Sequence, residues 1–234
     1  MQNTPLFTRE QKYRLALFGI LVMSSLISVG LFAARATPSP KGPYTSLLLN
    51  LLLAWIPLGF ASIATMSTRL PKTPRRVLVV VCAIFWLIFF PNALYILTDF
   101  QHLAIRDTAT PVWYDVLMLL WFAWSGLFLG LISMYLMQKV IMRWLGKIYS
   151  WFFVIGATSL GSLGVYMGRF YYWNSWDVIL NPFSMPRKVL ENFSYLEEQE
   201  RSLSFSFPLA LFFLFVYVTF YIFGRLTNEY DNQG

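Results

Sequence analysis

Charged residues are spaced along this chain so that six long stretches contain none: 15–34, 42–68, 77–98, 116–138, 148–168 and 202–224. These runs are 20, 27, 22, 23, 21 and 23 residues long. An α-helix of about 20 apolar residues crosses a hydrocarbon core roughly 30 Å thick, so each run predicts one membrane-spanning helix. The pattern predicts an all-α polytopic membrane helical bundle, a single integral membrane domain over 1–234. Its helices are expected at about 15–34, 44–66, 77–97, 114–137, 149–168 and 204–224. The longest piece outside the runs, 169–201, is well short of an ordinary folded domain. Within it, Pro186 precedes Val189, Leu190, Phe193 and Leu196, whose helical spacing predicts a short amphipathic helix at about 186–196 on the membrane surface.

Composition agrees with the pattern: 57% of residues are hydrophobic and 12% charged, against about 45–50% apolar in a soluble domain. The only cysteine, Cys82, falls inside the third run, which excludes an intrachain disulfide and a cysteine metal cluster.

The net charge of +7 acquires meaning when it is divided between the two sides of the predicted bundle. The N-terminal arm, the loops after the second and fourth helices and the C-terminal tail hold 11 of the 18 Lys/Arg and only Glu10, Glu229 and Asp231 among the acids. The other side holds 7 basic and 8 acidic residues. The positive-inside bias then places both termini in the cytoplasm. The basic excess is a topology signal with membrane lipids as partners; no nucleic-acid partner is expected. Arg9, Lys12 and Arg14 before a run ending Ala34-Arg35-Ala36 also resemble a signal peptide, but signal cores span about 7–15 residues. A retained first helix is the preferred reading.

Small residues predict which helices lie inside. Gly126 and Gly130 pair on the fourth helix; Ala157, Gly161, Gly164 and Gly168 recur along one face of the fifth. In lipid, helices associate largely through such close approach, so helices four and five are expected within the bundle. Thr110-Pro111 reads as an N-cap and first-turn proline opening the fourth helix.

Candidate chemistry gathers at the outer ends of these helices. On a continuous α-helix, Asn92, Tyr95, Asp99, His102 and Arg106 fall within about 80° of one another, behind a Pro91 expected to kink the chain. His102 is the only histidine. The competing reading is structural: Thr98 and Gln101 have capping-box spacing, so the stripe can be the wet face of a new surface helix. Asp115 lies three turns before Gly126 and is expected to point into the bundle. The block Arg169-Phe170-Tyr171-Tyr172-Trp173-Asn174-Ser175-Trp176-Asp177 follows the glycine stripe. Its aromatics suit the interfacial belt, Asn174 and Asp177 can cap a helix, and Arg169 is the expected partner of Asp115 or Asp99.

The motifs Pro91-Asn92-x-x-Tyr95-x-x-Thr98-Asp99-x-x-His102-Leu103 and Arg169-x-x-x-Trp173-Asn174-Ser175-Trp176-Asp177 are similar to those of the bacterial membrane family called domain of unknown function thirteen sixty-one. The resemblance covers most of the chain from the second helix onward. It implies a bacterial cytoplasmic-membrane protein and implies no particular activity.

Three functions fit these residues. The first is a hydrolase or transferase acting on an anionic envelope lipid, with His102 as base, Asp99 and Asp115 as further catalytic groups, and Asn92, Tyr95, Arg106, Arg169, Asn174, Trp176 and Asp177 binding. No cofactor is required, although Asp99, Asp115 and Asp177 have the oxygen donors that suit a divalent cation such as Mg²⁺ or Ca²⁺. One histidine and one apolar-run cysteine do not make a zinc set. The second is a noncatalytic assembly partner of another membrane protein, built on the glycine faces. The third is a proton-coupled carrier, which the lack of charge near the middle of any run disfavours.

Overall fold

The computed structural model describes residues 9–35, 44–67, 71–105, 110–181, 187 and 195–231. Seven α-helices are described: α1 (Arg9–Ala33), α2 (Thr45–Met66), α3 (Lys72–Tyr95), α4 (Val112–Leu145), α5 (Lys147–Tyr171), the short α6 (Ser175–Leu180) and α7 (Leu196–Asp231). A 3₁₀ segment, Ile96–Ile105, continues α3. No strand occurs among the described residues. Six helices are long and apolar enough to cross a membrane: α1, α2, α3 with most of its 3₁₀ extension, α4, α5 and α7. The predicted all-α membrane bundle is therefore observed.

Several helices outrun their uncharged cores. Lys139 and Arg143, expected in a loop, stand on the last turns of α4, whose 34 residues span about 51 Å. The connection to α5 is Gly146 alone, at φ +93°, a backbone region that glycine enters without a Cβ clash. Long basic side chains allow this, because their stems cover apolar surface while their heads reach water. At the other end of α4, Pro111 takes the cap position and Val112 is the first helical residue, one place later than the Thr110-Pro111 pair suggested. The predicted 186–196 helix lies almost wholly outside the described residues; Leu196 instead begins α7.

Burial is greatest along α4, which contacts α1, α2, α3 and α5. The close approach expected of the glycine faces is present, and both faces receive α3. Phe90 and Leu94 of α3 pack at Gly161, Pro91 at Gly164, and Ala93 and Ile96 at Gly126. A Cβ on Gly164 would stand 2.6 Å from Pro91 Cγ, so the glycine is what admits the proline ring. Pro91 lies inside α3 without ending it; the helix tightens about one turn later. Trp86, Phe90 and Phe213 fill the core between α3, α5 and α7. Trp86 stacks on Phe90 at 4.6 Å, and Phe90 meets Phe213 edge-on at 5.6 Å.

Polar contacts gather the helix ends at one end of the bundle. On α1, Ser24 and Ser28 meet Ser125 of α4 at 2.6 and 3.2 Å. Tyr114 donates from its hydroxyl to the Leu31 carbonyl at 2.8 Å. The Tyr171 and Tyr166 hydroxyls donate to Glu198, at 2.7 and 3.1 Å, tying the end of α5 to the start of α7. These contacts carry the end of α1 against the start of α4 and leave the 3₁₀ segment between α2, α3 and α4.

Candidate functional site

The change of pitch at Ile96 decides which polar residues meet. In a 3₁₀ helix, residues three apart eclipse one another, so Asp99 and His102 stand in line, His102 Nε2 at 3.6 Å from Asp99 Oδ1. The same change breaks the five-residue stripe that an unbroken α-helix would have formed. Asn92, still in α3, turns away and donates to Ser175 Oγ of α6 at 2.7 Å. Tyr95 presents its ring face to the Arg169 guanidinium, 4.1 Å from the centroid. Arg106 lies outside the described residues. No new helix starts at Thr98 either: its hydroxyl donates to the Tyr95 carbonyl at 2.7 Å and accepts from Arg169.

Asp99 is fully buried. Its Oδ1 accepts from Arg169 Nη2 at 2.7 Å, and its Oδ2 accepts from Asn50 Nδ2 of α2 at 3.1 Å. Gly168 helps to place the arginine, because a Cβ there would come within 3.2 Å of the Tyr95 ring on which Arg169 stacks. Of the two partners expected for Arg169, the structure selects Asp99.

Asp115 is also fully buried and points into the bundle, as its register with Gly126 predicts. Its partner is Arg35, at the end of α1, with Nε 2.9 Å from Oδ1 and Nη2 3.2 Å from Oδ2. The Tyr44 hydroxyl donates to the same Oδ2 at 3.2 Å. Of the two alternatives for Arg169, the one with Asp115 is thus closed by Arg35. The serine contacts and Tyr114 hold α1 against α4, which brings Arg35 to the start of α4, whereas Arg169 is fixed on Asp99 by Tyr95 and Thr98.

Tyr44 joins the two ion pairs. Its face carries the Arg35 guanidinium at 4.8 Å, and its ring meets His102 edge-on with centroids 6.2 Å apart. Arg169, Asp99, His102, Tyr44, Asp115 and Arg35 therefore form one chain of contacts from α5 to α1. Among the described residues two arginines face two carboxylates, each pair balanced in charge. Such burial is tolerable only because each charge is paired and hydrogen-bonded. Two atoms of the chain stand apart: His102 Nδ1 and Arg169 Nε are buried without a hydrogen-bond partner among the described residues. The His102 side chain is 15% exposed and that of Arg169 6%.

The remaining candidates lie apart from this centre. Asn174 and Asp177 form the capping box of α6: the Asn174 backbone N–H donates to Asp177 Oδ2 at 2.8 Å, and the reciprocal bond is also present. Asn174 is exposed and Trp176 half-buried on the same short helix. Asp177 is engaged there with Asn174. Among the described residues no group of three His, Cys, Asp or Glu side chains is arranged to hold a metal ion.

Arg35, Tyr44 and Asn50 are the residues that motif reasoning passed over. Two carried a signal: Arg35 is the charge that ends the first apolar run, and Asn50 is the only amide within the second. Tyr44 offered none, since an aromatic residue at a helix end is ordinary belt composition.

The fold and this centre define a polytopic α-helical protein of membrane-spanning character, with two buried arginine–carboxylate pairs bridged at one end of the bundle. The model of a protein family of unknown function, DUF1361, matches residues 49–221, and the chain belongs to that family. The matched stretch contains Asn50, Asp99, His102, Asp115 and Arg169; Arg35 and Tyr44 precede it. No curated protein and no solved structure matches the chain.

Proposed function

We propose that this chain is a bacterial cytoplasmic-membrane enzyme, with both termini in the cytoplasm and the buried polar centre at the outer face. It acts there as a hydrolase or transferase on the headgroup of an anionic envelope lipid. His102 is the general base. The observation that carries this reading is the Asp99–His102 arrangement: a carboxylate faces Nε2, and Nδ1 has no hydrogen-bond partner among the described residues. A carboxylate on one imidazole nitrogen sets the tautomer and stabilises the imidazolium formed when the other nitrogen takes a proton. At 3.6 Å the Asp99–His102 contact is looser than a hydrogen bond, in line with catalytic contacts that tighten on substrate binding. Both arginines are engaged by carboxylates, so the chemistry falls to His102 and Arg169 acts chiefly to hold Asp99.

A second reading is favoured by the same burial. Two self-neutralising ion pairs linking α1, α2, α4, α5 and the 3₁₀ segment also make a rigid cap, which suits a noncatalytic partner in a membrane assembly. Incubating the purified chain in lipid nanodiscs with radiolabelled envelope lipids separates the two. The enzyme reading expects a lipid product that His102→Gln abolishes while the variant keeps its melting temperature. Full turnover by His102→Gln, or no product from any envelope lipid class, overturns it in favour of the assembly role.

A further inference from the structure

We propose that Tyr44 is the positioning residue of His102, and that the Arg35–Asp115 pair acts on the imidazole through it. This deepens the enzyme reading and rests on it for the use made of His102, while the path itself is measured without turnover. The His102 ring has two described contacts: Asp99 Oδ1, 3.6 Å from Nε2, and the Tyr44 ring, with centroids 6.2 Å apart and planes at 78°. The first does not fix the ring by itself. A contact of 3.6 Å is longer than a hydrogen bond, and the torsion that turns an imidazole about its Cβ–Cγ bond has broad wells. The Tyr44 ring supplies the second point, and an edge-to-face pair is directional because it sets the positive edge of one ring against the negative face of the other.

A positioning group must itself be held, and Tyr44 is held in three ways. Its backbone carbonyl accepts from the Leu47 N–H at 3.1 Å, where α2 begins. Its hydroxyl donates to Asp115 Oδ2 at 3.2 Å, and the Arg35 guanidinium lies 4.8 Å from its centroid. The residue is 2% exposed. Two of these holds come from the ion pair that joins α1 to α4, and within the described contacts that pair reaches His102 by way of the Tyr44 ring. The imidazole is therefore aimed from two sides: Arg169 and Asn50 set Asp99, while Arg35 and Asp115 set Tyr44. Asp115 serves the base at one remove.

Because His102 is the only histidine, ¹⁵N-histidine labelling of the whole chain in nanodiscs reports on this position alone. Tyr44→Phe keeps the ring and loses the bond to Asp115; Tyr44→Leu loses the ring as well. The His102 signals are expected to shift and broaden in the first and more so in the second. Tyr217→Phe is the control: it cuts the buried Tyr217–Gln138 bond, about 35 Å along α4 from Asp115, and should leave the signals where they are. Arg35→Lys keeps a charge for Asp115 but lacks the planar group on the Tyr44 face. Alone it should shift the His102 signals, and added to Tyr44→Leu it should change nothing further, the non-additivity of residues on one path. If Tyr44→Leu does not fold, Tyr44→Phe replaces it as the background. Unchanged signals in Tyr44→Phe, an equal response to Tyr217→Phe, or the same Arg35→Lys shift with and without the Tyr44 side chain overturns the proposal. Where lipid turnover is present, Tyr44→Phe should lower kcat with KM held, as loss of aim at the base requires. The expected spectra without turnover by the unaltered chain remove the enzyme reading and leave the path from Asp115 to His102 standing.

Discussion

Nε of Arg35 lies 2.9 Å from Oδ1 of Asp115, joining the end of the first helix to the start of the fourth across 80 residues of chain. Both side chains are buried, and removing the cation alone leaves a carboxylate with no counter-charge. Arg35→Ala is expected to destabilise the bundle by about 3–5 kcal/mol. Replacing the pair together, Arg35→Met with Asp115→Leu, should recover most of that loss because Asp115 is then not left as a buried charge without its cation. Denaturant unfolding in detergent micelles checks both. Equal destabilisation by the single and double changes would contradict the account.

Asn50 is the second donor to Asp99. Asn50→Ala removes a hydrogen bond to a charged group and should cost about 1.5–3 kcal/mol. It should also broaden the His102 resonances, since Asp99 is then held from one side only.

The packing of α3 against α5 depends on Gly164. In Gly164→Ala the new Cβ would meet Pro91 at 2.6 Å, an overpacking expected to cost about 1–3 kcal/mol. Gly156→Ala on the same helix meets nothing within 4 Å and should be neutral or slightly stabilising, as alanine favours helix more than glycine does. Melting temperatures of the two variants, measured side by side, distinguish close packing from a general preference for glycine.

The Asn174–Asp177 capping box predicts a local effect. Asn174→Ala should cost about 1 kcal/mol of α6 stability, seen as faster amide hydrogen exchange over Ser175–Leu180, while the His102 spectrum stays unchanged. A disturbed His102 spectrum would bring Asn174 back into the polar centre.

Orientation is checked through the single native cysteine. In a Cys82→Ser background, Tyr172→Cys introduces a thiol at a position 85% exposed, beside Arg169. A membrane-impermeant maleimide should label it from outside intact cells. Labelling only after permeabilisation would place this end in the cytoplasm and reverse the topology inferred from charge.

Much of this protein is legible along the chain. Six helices long enough for a membrane follow from where charges are absent, because the cost of burying charge in hydrocarbon acts on each segment by itself. The close approach at Gly126, Gly161 and Gly164, the inward aim of Asp115 and the capping box at Asn174 were equally readable, each being set by neighbours within a turn or two. What tertiary structure alone decided was pairing. That the glycine faces of α4 and α5 enclose α3, that Asp115 takes Arg35 and not Arg169, and that Tyr44 and Asn50 enter the centre all depend on which helix lies beside which. The α-to-3₁₀ change at Ile96 belongs to the same class. The packing of α3 against α4 and α5 carries Ile96 to Gly126 and seats Arg169 on Tyr95 and Thr98, and this dispersed the α-helical stripe and left Asp99 and His102 in line. Partner choice is a sum over contacts far apart in sequence, and local periodicity holds no term for it.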